Sequence, residues 1–234
     1  MIFKRVAGAM RRQDWSTVCL EVVIVVVGVY LGIFIGDTAN DRALQADVHR
    51  TLEFLQAQLQ EDLANLDNIV AIHVSGRDTY ERAINLISQS PVDGAAFAEA
   101  SSHAMLVHRT FFPNRSAYET IRQLGYLAEV TDVELQLLVA NLYERIYERQ
   151  TKLADRMDDV VVVYQTRARD IYWDWAGRAF ISDGSEGATR MRNALIFIKN
   201  FSGYYRFQLD SFVRPELEKT INALEAYLEQ EQDV

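Results

Sequence analysis

The sequence is poor in cysteine, proline and glycine. Its 234 residues include one cysteine, Cys19, three prolines and 11 glycines. A single cysteine excludes an internal disulfide, and the low glycine and proline content excludes a collagen-like or low-complexity chain. At 49% hydrophobic residues, the chain is also too apolar for a disordered protein. No proline lies between Pro113 and Pro215, which leaves room for very long helices.

Sequence signatures of catalysis and of metal or phosphate binding are also missing. There is no G-x-S-x-G motif and no glycine-rich phosphate loop with its lysine. Of the four histidines (His49, His73, His103 and His108), the last two would lie about 140° apart around a helix, on different faces. The net charge of -9 argues weakly against nucleic acid as the main partner. We therefore predict no catalytic residue, metal site, cofactor or nucleic-acid partner.

The longest apolar run covers residues 18–36, VCLEVVIVVVGVYLGIFIG, and contains one charged side chain, Glu21. As a helix this run is about 28 Å long, close to the hydrocarbon thickness of a bilayer. Basic residues dominate before it, and acidic residues follow it directly. The positive-inside rule then predicts a cytoplasmic leader at 1–17, a single transmembrane helix at 18–36 and a periplasmic domain at 37–234 of a bacterial inner-membrane protein.

Two other interpretations of this run remain open. A cleaved signal peptide also has a basic start and an apolar centre, but the small-residue cleavage site after Ala39 would have Asp37 at its minus-three position. A buried core helix of a soluble protein is the other interpretation. It is disfavoured because the run is apolar on every face. An uncleaved membrane anchor is the interpretation that we prefer.

Gly28, Gly32 and Gly36 form two overlapping G-x-x-x-G units within the run. At about 100° per residue they share one face, and Glu21 lies within about 20° of it. Such a face allows a second transmembrane helix to approach closely, with the lipid bilayer around both, so we predict a partner membrane protein or a homo-oligomer. Alternatively, the glycines have no packing role, and Glu21 extends to the membrane interface.

Downstream of the run, apolar residues recur at three- and four-residue spacing, which predicts helices. The first covers Arg42 to Ile87, with Ser75-Gly76 as its weakest point, and ends in the turn SQSPVDG. A short helix follows at 95–107. The next, SAYETIRQL, has Asn114 or Ser116 as candidate N-cap and ends at Gly125.

Two further long helices complete the predicted fold. Thr131 and Glu134 form a capping box before the first of these helices. The apolar stripe of this helix comprises Leu135, Leu138, Leu142, Ile146, Leu153, Met157, Val160 and Tyr164. The last helix runs from about 188 to 231, with a kink predicted at Pro215. No hairpin signal stands out. The expected fold is all-α: the transmembrane helix continues into an antiparallel bundle of about four long helices.

Two stretches resemble an uncharacterised bacterial family of small single-span membrane proteins. One is the apolar run with GVYLG and DTANDR, and the other is SAYETIRQLGYLAEVTDVELQLLVANLYE. The matching positions in the second stretch are Ala117, Tyr118, Gly125, Leu127, Leu135 and Tyr143. The resemblance covers about residues 15–145 and departs from the family pattern at GDTAND, where the family has Asn-Asn-Trp. It implies a membrane-anchored helical domain and brings no known activity.

Residues 164–214 interleave aromatic side chains with arginines, and here basic residues outnumber acidic ones. Such a composition suits a protein interface or a stacked ligand, and its charge suits an acidic protein or an anionic ligand. Alternatively, these aromatics close the end of the helical bundle. The candidate interface residues are Arg169, Tyr172, Trp173, Trp175, Tyr204, Tyr205 and Arg206.

These observations favour a non-catalytic accessory or scaffold subunit of a larger inner-membrane assembly. The alternative is a periplasmic ligand-sensing or signalling module. Because few residues precede the apolar run, such a module would need a partner transmembrane helix for its output. An enzyme acting on envelope polymers has the least support.

Replacing both Gly28 and Gly32 with leucine is expected to abolish self-association of the apolar helix, because the added side chains would hold two helix backbones apart. A membrane-helix reporter assay measures this. Val26→Leu, on the opposite face, is the control and should leave association unchanged. Full association of the double variant would rule out homomeric packing through the glycine face.

Overall fold

A computed structural model describes residues 15–106, 109–167, 173–180 and 184–232. The chain divides into two compact units, Met1–His49 and Arg50–Val234. Helix α1 runs from Trp15 to Ile87, so residues of this one helix belong to both units. The helix predicted from Arg42 to Ile87 is therefore present, and it is not interrupted at Ser75-Gly76.

The apolar stretch of α1 in the first unit is exposed along its length. Its described large apolar side chains, from Val22 to Ile35, are 49–68% exposed. The most apolar window has a mean hydropathy of 2.2, and none of it is buried within the chain. Among the described residues, α1 is the one helix long and apolar enough to cross a membrane.

The second unit contains the rest of the elements. In chain order they are α2 (Gly94–Leu106), α3 (Ser116–Leu124), a 3₁₀ turn (Tyr126–Glu129), α4 (Val133–Asn141), the π-helix π1 (Leu142–Tyr147), α5 (Glu148–Arg167), the short strands β1 (Trp173–Asp174) and β2 (Ala179–Phe180), α6 (Gly184–Gln208), the π-helix π2 (Leu209–Val213) and α7 (Arg214–Gln232). The predicted all-α fold is confirmed.

Three long helical runs pack together in this unit: α1, α4–π1–α5 and α6–π2–α7. The last two are antiparallel, since α4 contacts α7, π1 contacts π2 and α5 contacts α6. Polar contacts show that α1 is also antiparallel to α6–π2–α7. Asp67 pairs with Arg214, His73 with Ser202 and Glu81 with Lys199, so residue numbers rise along α1 as they fall along its neighbour. The core between them includes Leu52, Leu55, Leu59 and Leu66, each at most 1% exposed. Burial of one such side chain contributes about 1.5–3 kcal/mol.

The apolar stripe after Leu142 is shifted by one residue at three of its predicted positions. Ile146, Leu153 and Val160 are only half-buried, and their C-terminal neighbours Tyr147, Ala154 and Val161 are buried instead. Met157 is fully buried, as predicted, because it lies three or four residues from both sets. The physical reason is π1, because a π turn contains one more residue than predicted from an α-helical period and so rotates everything after it by about 100°.

The π-helix π2 lies immediately before the predicted kink. Pro215 has no N–H, and in an α-helix its ring would clash with the carbonyl of Ser211. Ser211 is part of π2, whose wider turn replaces regular α-helical geometry just before the proline. The last run therefore continues through Pro215 from α6 into α7.

Three helix ends test the predicted capping residues. At the start of α3 the prediction is wrong, because the N-cap is Arg115 and neither Asn114 nor Ser116. Gly125 ends α3 with φ +72°, as predicted, because the left-handed conformation there favours glycine. The predicted Thr131–Glu134 capping box is wrong. Asp132 is the N-cap of α4, and its side chain accepts hydrogen bonds from the backbone N–H groups of Glu134 and Leu135 at 2.8 and 3.2 Å.

A hairpin that the sequence pattern did not indicate follows α5. Trp173 pairs with Phe180 and Asp174 with Ala179, around a turn in which Arg178 has φ 52°. Two-residue strands are too short to show the alternating pattern by which strands are recognised. Trp173 is buried against Phe97 and Phe180, at ring-centroid distances of 4.9 and 4.8 Å.

Gly94→Ala is expected to lower the free energy of unfolding by about 1–3 kcal/mol, the range for overpacking. The new Cβ would lie 2.3 Å from the Arg178 carbonyl oxygen, so the hairpin would have to move off α2. Gly203→Ala is the matched control, because its Cβ would have no atom within 4 Å, and alanine stabilises a helix. Urea unfolding measures both. Equal stability of the two variants would contradict close packing at Gly94.

Candidate functional site

The second unit contains a non-helical segment near the middle of the chain, residues 109–115, here called the central loop, in which Phe111 is buried and the other residues are half-buried or exposed. Buried backbone groups outside helices and strands need other hydrogen-bond partners. Gln58 on α1 supplies two contacts at the end of this loop: its Oε1 accepts from Ala117 N, and its Nε2 donates to Ser116 Oγ, both at 2.9 Å. One turn further along α1, Asp62 Oδ1 accepts from Asn114 N at 3.1 Å.

Side chains of three helices hold the start of the central loop. Tyr205 OH accepts from the backbone N–H of Phe111 at 2.7 Å, and Thr110 Oγ1 donates to Asp158 Oδ1 at 3.0 Å. His73 Nε2 lies 2.8 Å from the carbonyl oxygen of Arg109. We call the residues that hold the loop, Gln58, Asp62, His73, Asp158 and Tyr205, the loop-binding network.

The contacts of His73 define its tautomer. A backbone carbonyl only accepts, so Nε2 must carry the proton toward Arg109. In the neutral ring Nδ1 is then the acceptor, and Ser202 Oγ, 2.6 Å away, donates to it. His73 thus joins α1, the central loop and α6. It is a positioning residue, because both of its ring nitrogens are engaged in these contacts.

Asp62 is a buried carboxyl group, 4% exposed. Burial raises its pKa from 3.8 to about 6, partly offset by the hydrogen bond from Asn114 and by the nearby Tyr147 hydroxyl. Tyr147 lies close to this carboxylate but outside good hydrogen-bond geometry, so Asp62 Oδ2 and the hydroxyls of Tyr143 and Tyr147 are buried without a well-formed hydrogen bond among the described residues. Burial also raises the pKa of both tyrosines. The cluster therefore contains a carboxyl group that can change protonation near neutral pH.

Both of these tyrosines belong to π1, and their rings form an aromatic group beside the loop. Tyr143 stacks on Tyr118 at 4.3 Å with an interplanar angle of 2°, and contacts Tyr147 edge-on at 5.1 Å. Phe111 of the central loop packs on Tyr147 at 5.9 Å. Arg115 Nη1 donates to the carbonyl oxygen of Tyr143 at 3.3 Å. The wide turn of π1 thus brings two tyrosines to the loop.

A pocket of about 400 Å³ lies between α1 and α6, and His73 and Ser202 form part of its wall. We call it the cationic pocket. Its lining residues are His73, Val74, Arg77, Lys199, Asn200, Ser202, Gly203 and Arg206. Three of them are cations and none is an acid.

The predicted interface residues differ in burial and do not share one surface. Trp173 and Tyr205, at 1% and 0% exposed, belong to the core, so their assignment to an exposed interface is corrected. Both are large aromatic rings that fill space between helices. Tyr204 is 47% exposed, and Trp175 is half-buried against Trp173. Arg206 lines the cationic pocket. Arg169 and Tyr172 lie outside the described residues.

Exposed and half-buried aromatic side chains follow one face of α6. Phe197, Phe201 and Tyr204 form two consecutive stacked pairs, with centroid distances of 6.0 and 6.3 Å. Tyr164 of α5 extends this row, at 5.4 Å from Phe197. We call these four residues the aromatic ladder. Phe207 and Phe212, both exposed, form another pair at 5.9 Å, and the Arg149 guanidinium lies over the Phe212 ring.

The predicted membrane-packing glycines have no side chain of this chain against them. A Cβ built at Gly28, Gly32 or Gly36 would have no atom within 4 Å, so the glycine face is open. The side chain of Glu21 lies outside the described residues. Among the described residues, no group of three or more His, Cys, Asp and Glu side chains is arranged to hold a metal ion.

Across the residues that the structure describes, the fold is all-α, with one apolar helix long enough to cross a membrane. A family model, the Family of unknown function (DUF6090), matches residues 21–163. The match covers more than half of the chain, so the protein belongs to this family, in agreement with the resemblance to an uncharacterised family. Comparisons with curated proteins and with solved structures gave no match. The matched range includes the central loop and π1 and ends before α6.

Sequence reasoning missed most of the loop-binding network. Gln58 and Asp62 lie between the apolar positions Leu55, Leu59 and Leu66 of α1, and polar side chains on a buried stripe were the available signal. Such residues are buried only where they find partners. Their partners are in a loop more than 50 residues away in sequence, which no local pattern indicates.

Asp62→Asn is expected to remove pH dependence of stability between pH 4 and pH 7. The folded-state pKa of about 6 exceeds the unfolded value of 3.8, so wild-type stability falls as pH rises through this range, by about 2 kcal/mol after allowing for solvent screening. Asparagine does not titrate and keeps an oxygen to accept from Asn114. Urea unfolding at several pH values measures the slope.

The exposed carboxylate Glu218 supplies the control, since Glu218→Gln should retain the wild-type slope. A slope that persists in Asp62→Asn would assign the pH dependence to other groups.

Proposed function

We propose that this protein is a non-catalytic, membrane-anchored scaffold or accessory subunit of a larger bacterial inner-membrane assembly. In this proposal residues 18–36 span the bilayer, the basic leader is cytoplasmic and residues 37–234 are periplasmic. The fully exposed apolar stretch of α1 supports the anchor, because such a surface is stable only in an apolar environment.

The observation that carries the scaffold role is the aromatic ladder. The face of α6 about 100° around the helix from the ladder is core, with Leu195, Ile198 and Tyr205 at most 1% exposed. The ladder face, by contrast, leaves Phe197 and Tyr204 nearly half exposed. Adjacent aromatic rings on a surface are typical of protein interfaces, where they supply large contact area. The occupant that we propose is an apolar face of a partner membrane protein.

Neighbouring side chains support this assignment. Val162 and Val163, next to Tyr164 on α5, are 56% and 46% exposed, so two helices contribute apolar surface. The second aromatic pair, Phe207–Phe212, carries an arginine over one ring. Arginine and aromatic residues are both enriched in the centres of interfaces. The ladder lies outside the residues matched by the family model, 21–163.

A ligand-sensing or signalling module that acts through a partner transmembrane helix is the second candidate. The cationic pocket favours it, because a pocket of this size with convergent polar groups suits a small ligand. The two candidates depend on different residues of α6. The scaffold role depends on the aromatic ladder, and the sensor role depends on the residues that line the cationic pocket.

Placing a photo-crosslinking amino acid at Tyr204 of the full chain in its native membrane is expected to capture one partner membrane protein in stoichiometric yield. The same amino acid at Leu137, which is 66% exposed on α4, is the control and should not capture it. Mass spectrometry identifies the products. Cross-links to lipid alone, or the same proteins from both positions, would contradict the scaffold role, and cross-links to a second copy alone would favour the sensor.

The double variant Phe197→Ser/Tyr204→Ser provides a second measurement. Loss of two interface aromatics is expected to lower recovery of the partner more than tenfold. Because both side chains are exposed, thermal stability should change little. Leu137→Ser is again the control, and its recovery of the partner should equal that of wild type.

A further inference from the structure

We infer that the cationic pocket binds a small oxyanion of the carboxylate or phosphate class. This binding site goes beyond the scaffold role and deepens the ligand-sensing candidate. Its charged lining residues, Arg77, Lys199 and Arg206, are all basic. The Asn200 side chain adds further N–H donors. A cavity in which charged groups of a single sign converge concentrates the opposite charge.

Sequence spacing explains why these groups meet. His73 and Arg77 are one turn apart on α1, and Lys199, Gly203 and Arg206 recur at four- and three-residue spacing on α6. The two stripes approach each other because α1 and α6 are antiparallel neighbours, joined by His73–Ser202 and Glu81–Lys199. Each helix alone would present an ordinary basic stripe, and the pocket forms only where they pack.

The carboxylates nearest to these cations lie outside the pocket lining. Glu81 contacts Arg77 Nε at 3.2 Å and Lys199 Nζ at 3.6 Å, and Asp210 contacts Arg206 Nη1 at 3.4 Å. A guanidinium has five N–H donors, so either arginine can contact a carboxylate and still bind a ligand. Partly exposed ion pairs of this kind contribute little stability, so they compete weakly with a bound anion.

The wall of the pocket is fixed by the same contacts that hold the central loop. His73 is bonded at both ring nitrogens, to Arg109 and to Ser202, so neither its ring nor the Ser202 hydroxyl is free to rotate. Gly203 leaves the space beside them open, since a Cβ there would have no atom within 4 Å. Side chains fixed by hydrogen bonds, next to open space at a glycine, are typical of a preformed ligand site.

The size of the pocket limits the ligand to a small one. A volume of about 400 Å³ accommodates a di- or tricarboxylate, an inorganic phosphate or a lipid phosphate headgroup. Arginine forks match carboxylate and phosphate oxygens with two parallel hydrogen bonds, which is the chemistry that these sources share.

Isothermal titration calorimetry on the full chain in neutral detergent tests the site, with inorganic phosphate, citrate and short-chain phosphatidic acid as separate probes at low ionic strength. Saturable one-site binding of at least one probe is expected. Binding of phosphatidic acid alone would assign the ligand to a lipid headgroup, and binding of phosphate or citrate would assign it to a soluble anion.

Lys199→Gln and Arg206→Gln are each expected to weaken binding about tenfold, the effect of losing one charge-assisted hydrogen bond. Lys152→Gln is the matched control, because Lys152 forms an exposed i,i+4 ion pair with Glu148 on α5, away from the pocket. Gly203→Leu fills the pocket without changing charge and should abolish binding. Circular dichroism melting confirms that each variant is folded.

The inference is overturned if no probe binds saturably, or if Lys152→Gln weakens binding as much as Lys199→Gln, since that would indicate general charge attraction. Retained binding in folded Gly203→Leu would overturn it as well. Cross-linking from Tyr204 is measured in the same variants. Loss of anion binding with an unchanged cross-link separates failure of the pocket from failure of the scaffold role.

Discussion

The second unit depends on one constraint: a non-helical loop packs against helices, and the backbone groups that become buried there, such as the Phe111 N–H, must find hydrogen-bond partners. The loop-binding network satisfies them with side chains from three helices. Gln58 and Asp62 hold the end of the loop, and His73 and Tyr205 hold its start. Because an unsatisfied buried donor or acceptor costs about 1–3 kcal/mol, these contacts fix how the helices are placed along one another.

One of the two π-helices, π1, is related to the same loop. It brings Tyr143 and Tyr147 against the loop and moves part of the apolar stripe of α5 by one residue, so that Ala154 and Val161 join Met157 in the core. The other, π2, contacts π1 and lies immediately before Pro215. Single wide turns are rare in helices and are frequent near functional sites. His73, which contacts the loop, also lines the cationic pocket.

The apolar stretch of α1 and the aromatic ladder both expose apolar area that a soluble monomer would ordinarily bury. The cationic pocket adds a polar site on the same helix as the ladder, but on a different part of its circumference. Membership of the DUF6090 family places the apolar stretch and the central loop within one matched region, while α6 lies outside it.

The sequence alone determined the all-α fold, the apolar helix, the approximate helix bounds and the stop at Gly125, because each depends on local periodicity or on a single residue's backbone preference. The tertiary structure decided the rest. It placed Trp173 and Tyr205 in the core and left Tyr204 exposed, since residues close together on one helix differ in burial according to which neighbours pack on them. It also brought His73 to Ser202, 129 residues away, through packing that no local pattern encodes.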